Sequence, residues 1–115
     1  MQGKRLDRVN QLIKEEISTL LQRELKDPRL GFVTVTEVEV SKDLRQAKVF
    51  VSVLGDATQR KLTLAGLKSA HGYLQRRVAA ELRIKHTPTL DFVYDDTSER
   101  AARLTKLLEE AEEEV

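Results

Sequence analysis

Between residues 60 and 86 the chain places Arg60, Lys61, Lys68, Arg76, Arg77, Arg83 and Lys85 against one acidic residue, Glu81. A positive segment of that density suits a polyanion, whose condensed counterions are released when lysine and arginine neutralise its charges. The competing reading is a solvated helix face. At 100° per residue Lys61, Lys68, Arg76 and Arg83 fall within about 80° of one another, and Gly72 lies among them. Gly72 sits in LKSAHGYLQRR, residues 67–77. Having no side chain, it would let a phosphate approach the backbone, and a helix starting after it would offer unpaired N–H groups. It would serve equally as a kink needed for packing, so both uses stay open. Tyr73 beside it can stack on an unpaired base or lie on a lysine stem. His71 is at the edge of the apolar stripe, where it either packs or touches RNA. Arg5, Arg8, Lys42 and Arg45 are further basic positions that matter only if the fold gathers them beside Gly72.

A second set of residues suggests different chemistry. Asp91, Asp95 and Asp96, with His86 nearby, are hard-cation ligands of the kind used in metal-assisted hydrolysis, which makes a metal-dependent phosphodiesterase the rival function. Asp95-Asp96-Thr97-Ser98 also has the residue types that begin a helix, and that reading is preferred. Two histidines and no cysteine leave little for a zinc site or a nucleophile, and no phosphate-binding G-x-x-x-x-G-K-[ST] loop occurs. The preferred reading implies no cofactor, metal or small-molecule substrate. A third reading is a protein-docking module that uses an acidic last helix.

The length of 115 residues fits one domain with its own core. The absence of cysteine rules out a disulfide framework. No apolar run resembles a signal peptide or membrane span, so a soluble, cytoplasmic protein is expected. The net charge of +1 conceals a balance of +7 over residues 1–90 and −6 over residues 91–115.

The elements that must position these residues follow from periodicity. Leu6, Val9, Ile13, Ile17, Leu20, Leu21 and Leu25 predict a helix over 4–26, ended by Asp27-Pro28. FVTVTEVEV (32–40) and AKVFVSVL (47–54) predict a hairpin joined by SKDLRQ. Val33 and Val35 are out of phase with Val38 and Val40, which predicts a bulge near Thr36-Glu37. Asp56 caps a helical region over 57–84, read as two helices meeting at a tight kink at Gly72. The apolar phase of Leu67, Ala70, Leu74, Val78 and Leu82 survives that kink. LDFVY (90–94) predicts a third strand, and a last helix carries Ala101, Leu104, Leu108 and Ala111. Its end, EEAEEEV, is expected to fray, because carboxylates oppose the helix dipole there.

The pieces ELKDPRLGFVTVTEVEVSKDL (24–44), AKVFVSVLG (47–55), SAHGYLQRRVAAELRIKHTPTL (69–90) and FVYDDTSE (92–99) resemble the ribosome-binding factor A family, bacterial small-subunit assembly factors. The order of these elements predicts an α+β domain with helices packed on one face of a small sheet, and the resemblance implies a KH-like (type II) single domain, ordered α-β-β-α-kink-α-β. It adds a C-terminal helix packed near a three-stranded sheet. Residues 1–108 would form the RNA-binding domain and 109–115 an acidic tail. Ala70-His71-Gly72 stands where KH domains carry G-x-x-G, so the usual single-strand grip does not carry over. The resemblance implies a monomer that binds small-subunit ribosomal RNA during late maturation and rRNA processing, without catalysis. The residues expected to touch RNA are Lys61, Lys68, His71, Gly72, Tyr73, Arg76, Arg77, Arg83 and Lys85.

Overall fold

The computed structural model describes residues 2–113. Helix α1 (Gln2–Arg23) leads through a 3₁₀ turn (Pro28–Leu30) into strands β1 (Val33–Val40) and β2 (Gln46–Val53). Helix α2 (Ala57–Leu82), strand β3 (Thr89–Tyr94) and helix α3 (Thr97–Glu113) follow. The sheet order is β1-β2-β3, antiparallel between β1 and β2 and parallel between β2 and β3. β3 is therefore an edge strand, reached from the central strand by way of α2.

α1 and α2 cover one face of this sheet. Ile13, Ile17 and Leu20 from α1 meet Leu67, Leu74 and Val78 from α2 over Val35, Val38, Ala47, Val49, Val51 and Leu90, all buried. The phase change in β1 is resolved by a bulge. Val35 pairs with Val51 and Glu37 with Phe50, so Thr36 is the extra residue. The bulge returns Val38 and Val40 to the face already occupied by Val35.

The region 57–84 is one helix, not two. Asp56 caps it by accepting the Gln59 N–H at 2.9 Å, and the hydrogen-bonded helix runs unbroken through Ala70, His71 and Gly72. Glycine inside a helix costs about 1 kcal/mol, whereas each buried Leu or Val side chain returns about 1.5–3 kcal/mol. Leu74 and Val78, fully buried in phase with Leu67, hold the helix on the sheet past the glycine. Gly72 is exposed, and a Cβ there would meet only Arg76 Nη1, at 3.4 Å.

Gly66, six residues earlier, is the glycine that packing requires. It is buried, and a Cβ there would lie 3.1 Å from Leu30 Cδ2 and 3.3 Å from Arg29 Cβ. The 3₁₀ turn rests on α2 at this point. Thr63, the buried polar residue of α2, donates its hydroxyl to the Arg29 carbonyl at 2.8 Å.

α3 is anchored at its first turn. Beyond that turn its described side chains are exposed, and Leu104, Leu107 and Leu108 show 59%, 62% and 58% of their surface. This projection lengthens the molecule to 60 × 39 × 18 Å and raises the radius of gyration to 16.8 Å. A compact chain of this size has about 13 Å. The helix continues through the acidic segment to Glu113, while Glu114 and Val115 lie outside the described residues.

Candidate nucleic-acid interface

The outer face of α2 carries the candidate site. On the observed helix Lys61, Lys68, Gly72 and Arg76 lie opposite the buried row of Thr63, Leu67, Leu74 and Val78, and they line its outward side. Among the described residues, Lys61, Lys68 and Arg76 form no ion pair. Small residues, Ala65, Ser69 and Gly72, separate them, so the cations stand above a low surface. Arg83 leaves this row. It takes the left-handed conformation at the helix C-cap, with φ 51°, which removes it from the arc its sequence position suggests. Arg83 and Lys85 lie at the carbonyl end of α2, where positive charge complements the dipole.

Other candidates are held by partners. Arg77 donates to Glu24 through Nη1 at 2.7 Å and Nη2 at 3.1 Å, and the Tyr73 hydroxyl donates to the same carboxylate at 2.6 Å. Arg77 also lies 5.8 Å from the Tyr73 ring centroid. The Tyr73 hydrogen bond, then the Arg77 charge, hold the Glu24 carboxyl below its ordinary range. This cluster joins the end of α1 to the flank of α2. His71 is half-buried, with Nε2 2.7 Å from the Leu90 carbonyl and its ring edge-on to Phe92. The carbonyl can only accept, so Nε2 carries the proton.

One helical turn on, Gln75 donates to the Pro88 carbonyl at 2.8 Å and accepts the Leu90 N–H at 2.9 Å. His71 and Gln75 thus satisfy backbone groups of the β3 edge that no strand pairs. Beside them a groove of about 420 Å³ is lined by Leu64, Lys68, His71, Leu90, Asp91, Phe92 and Tyr94. Thr63, Gly66 and Gln75 escape a reading of the sequence for chemistry. Gln75 has a signal in its spacing from His71, four residues along the same face.

The acidic residues serve the start of α3. Asp95 Oδ1 accepts the Thr97 N–H at 3.0 Å and its hydroxyl, and Oδ2 accepts the Thr36 hydroxyl at 2.7 Å. Thr36 is the bulged residue, so the carboxylate ties α3 to β1. Asp96 pairs with Arg100 at 2.9 Å, and Glu99 pairs with Arg60, which lies over Tyr94. Asp91 is exposed on β3, where it borders the groove beside Lys68. The described residues contain no group of three His, Cys, Asp or Glu placed to hold a metal.

Hydrogen bonds from Thr97 and Thr36 lower the Asp95 pKa. The fold therefore favours the ionised form. Its stabilisation is complete at neutral pH and is lost as pH falls below the ordinary carboxylate value toward the lowered one. Asp95→Asn is expected to lower the melting temperature at pH 7 and to flatten its fall between pH 5 and 3, with RNA association unchanged. Thermal melts across that range check it. Loss of an RNA-cleaving activity in this variant would instead favour the phosphodiesterase.

The family model for ribosome-binding factor A matches residues 5–108. The chain belongs to the ribosome-binding factor A family. A ribosome-binding factor A of Halothermothrix orenii is 48% identical over 114 residues, covering 99% of this chain and 93% of the relative. That of Brevibacillus brevis is 46% identical over 96% of this chain and 91% of the relative. Among solved structures, the crystal structure of ribosome-binding factor A from Thermus thermophilus superposes with a TM-score of 0.69. It is 27% identical and covers 77% of this chain and 94% of its own. A second Thermus thermophilus neighbour is a ribosome-binding factor A homology model fitted into a cryo-EM map of a 30S–RbfA complex. It has a TM-score of 0.61 at 29% identity and covers 75% of this chain and 90% of its own. These neighbours give the family fold as the KH-like α+β arrangement expected from the sequence. In this family member Ala70-His71-Gly72 lies within a helix and leaves both the packing glycine and the cation row on the same element.

Proposed function

We propose that this protein is a non-enzymatic assembly factor that binds ribosomal RNA of the immature small subunit during late maturation and rRNA processing. One observation carries the reading: Lys61, Lys68 and Arg76 stand without ion-pair partners among the described residues on the outer face of α2, separated by small residues. Such cations neutralise phosphates and set the register of binding without reading sequence. Arg83 and Lys85 extend the positive surface past the end of the helix. The groove beside Lys68, with His71 and Phe92 in its wall, is where an unpaired base is accommodated. Tyr73 and Arg77, occupied by Glu24, support this face as a buttress between α1 and α2. The Thermus thermophilus relative fitted into the map of a 30S complex supports the small subunit as partner. Asp95 and Asp96, engaged in capping and ion pairing, support binding over hydrolysis. No described helix is long and apolar enough to cross a membrane. The protein acts in the cytoplasm as a monomer.

Cosedimentation with purified subunits tests this. The protein should pellet with small subunits in preference to large ones. Affinity should fall steeply with salt, with a log–log slope of about −0.7 to −0.9 per phosphate neutralised. Salt-insensitive binding, or equal binding to both subunits, would count against it.

A further inference from the structure

We propose that Arg29, presented by the turn after α1 and not by α2, is a further phosphodiester contact on the RNA face. The inference rests on the RNA-binding reading and adds a residue from a second element.

Arg29 is held against the Asp27 carboxylate. Its Nε lies 3.0 and 2.9 Å from the two oxygens of Asp27, and its Nη2 lies 2.6 Å from Oδ2. Asp27 also accepts the Arg29 backbone N–H at 2.9 Å. That bond alone caps the turn, so turn formation does not account for the side-chain fork. The fork consumes the Nε–Nη2 edge of the guanidinium. Among the described residues Nη1 has no hydrogen-bond partner, and the side chain keeps 37% of its surface.

The platform beneath this group is packed and hydrogen-bonded. Leu30 is buried, Thr63 anchors the Arg29 carbonyl, and the absence of a side chain at Gly66 lets the arginine lie against α2. Its Nε is 3.5 Å from where a Gly66 Cβ would sit. Gly66 is about 80° around the helix from Arg76, about 140° from Lys61 and about 160° from Lys68, so the guanidinium lies on the flank of α2 between the buried row and Arg76. Long side chains normally lose rotamer freedom on binding, which weakens association. Here the fold has already borne that loss. A planar guanidinium with one open corner suits a phosphate oxygen, and a lysine at this position could not form the fork.

The test is a salt series of RNA and small-subunit titrations with wild type, Arg29→Gln, Arg29→Lys and Lys106→Gln, the last a cation of α3 serving as charge control. Arg29→Gln is expected to weaken binding about fivefold at 0.1 M salt and to reduce the log–log slope by about 0.7. Arg29→Lys should keep the wild-type slope and show intermediate affinity, and Lys106→Gln should match wild type. Folding of each variant is verified by circular dichroism. Wild-type affinity and slope in folded Arg29→Gln overturn the proposal, as does an equal loss in Lys106→Gln. If Arg29→Gln melts below the assay temperature, Arg29→Lys decides, and wild-type affinity in it overturns the held grip. Retained effects of Lys68→Ala and Arg76→Ala would then leave the main interface standing. Absence of salt-dependent binding by the wild type itself would be a failure of the RNA-binding reading.

Discussion

Replacing Lys61, Lys68 and Arg76 together by alanine is expected to weaken RNA binding by about two orders of magnitude at 0.1 M salt, with the melting temperature unchanged. Each phosphate contact contributes about 0.7–0.9 to the log–log salt slope, so three lost contacts lower it by about 2. Over the decade of salt below 1 M this becomes roughly a hundredfold in affinity. Stability is spared because the three side chains lie on the outer face and form no ion pair among the described residues. The large effect requires that the cations act on one ligand simultaneously, as their common face permits. RNA titrations at four salt concentrations, with parallel thermal melts, measure both quantities. A loss below about threefold with the slope intact would remove this face from the interface. A parallel fall in melting temperature would mean that the side chains support the fold.

Gly66→Leu should strongly destabilise the fold, while Gly72→Ala in the same helix should stabilise it. At Gly66 the new side chain starts 3.1 Å from Leu30 Cδ2 and 3.3 Å from Arg29 Cβ. Arg29 Cβ cannot yield without moving the backbone, and Leu30 is seated in the core. The turn must lift off α2, which breaks the Thr63 hydrogen bond to the Arg29 carbonyl. Overpacking costs about 1–3 kcal/mol and an unsatisfied buried polar group about 1–3 kcal/mol more. Against a typical total stability of about 5–15 kcal/mol, this lowers the melting temperature by more than about 10 °C. Gly72→Ala removes the glycine penalty of about 1 kcal/mol at a helical position, where the new methyl meets only the end of a flexible arginine. Denaturant unfolding of the two variants checks the contrast. Equal effects of the same sign would show that the turn does not depend on close approach at Gly66.

The elements of this protein were legible because each is an apolar periodicity with local stops. Pro28 ends the α1 segment, Asp56 caps α2, and the break of phase between Val35 and Val38 announces the bulge before any partner strand is known. The cation row was legible for the same reason, since Lys61, Lys68 and Arg76 share one face of one helix. Full family motifs at their expected spacings added the KH-like arrangement.

Local spacing carries no information about what approaches a helix from elsewhere in the chain, and that is where reading and structure part. Gly72 drew attention by its neighbours, yet the burial of Leu74 and Val78 keeps the helix hydrogen-bonded straight through it. Gly66 looked ordinary until the turn bearing Arg29 and Leu30 came down on it. Arg83 left the cation row because the helix ended one residue before it. Tyr73 and Arg77 were claimed by Glu24, about fifty residues away, and His71 by the carbonyl of Leu90. The sequence by itself determined which segments are helix or strand and which helix face is positive, because those depend on contacts within a few residues. Tertiary structure alone decided which of the charged and aromatic side chains keep unpaired groups for a ligand. That depends on hydrogen bonds and burial between distant segments, which exist only once the chain has closed on itself.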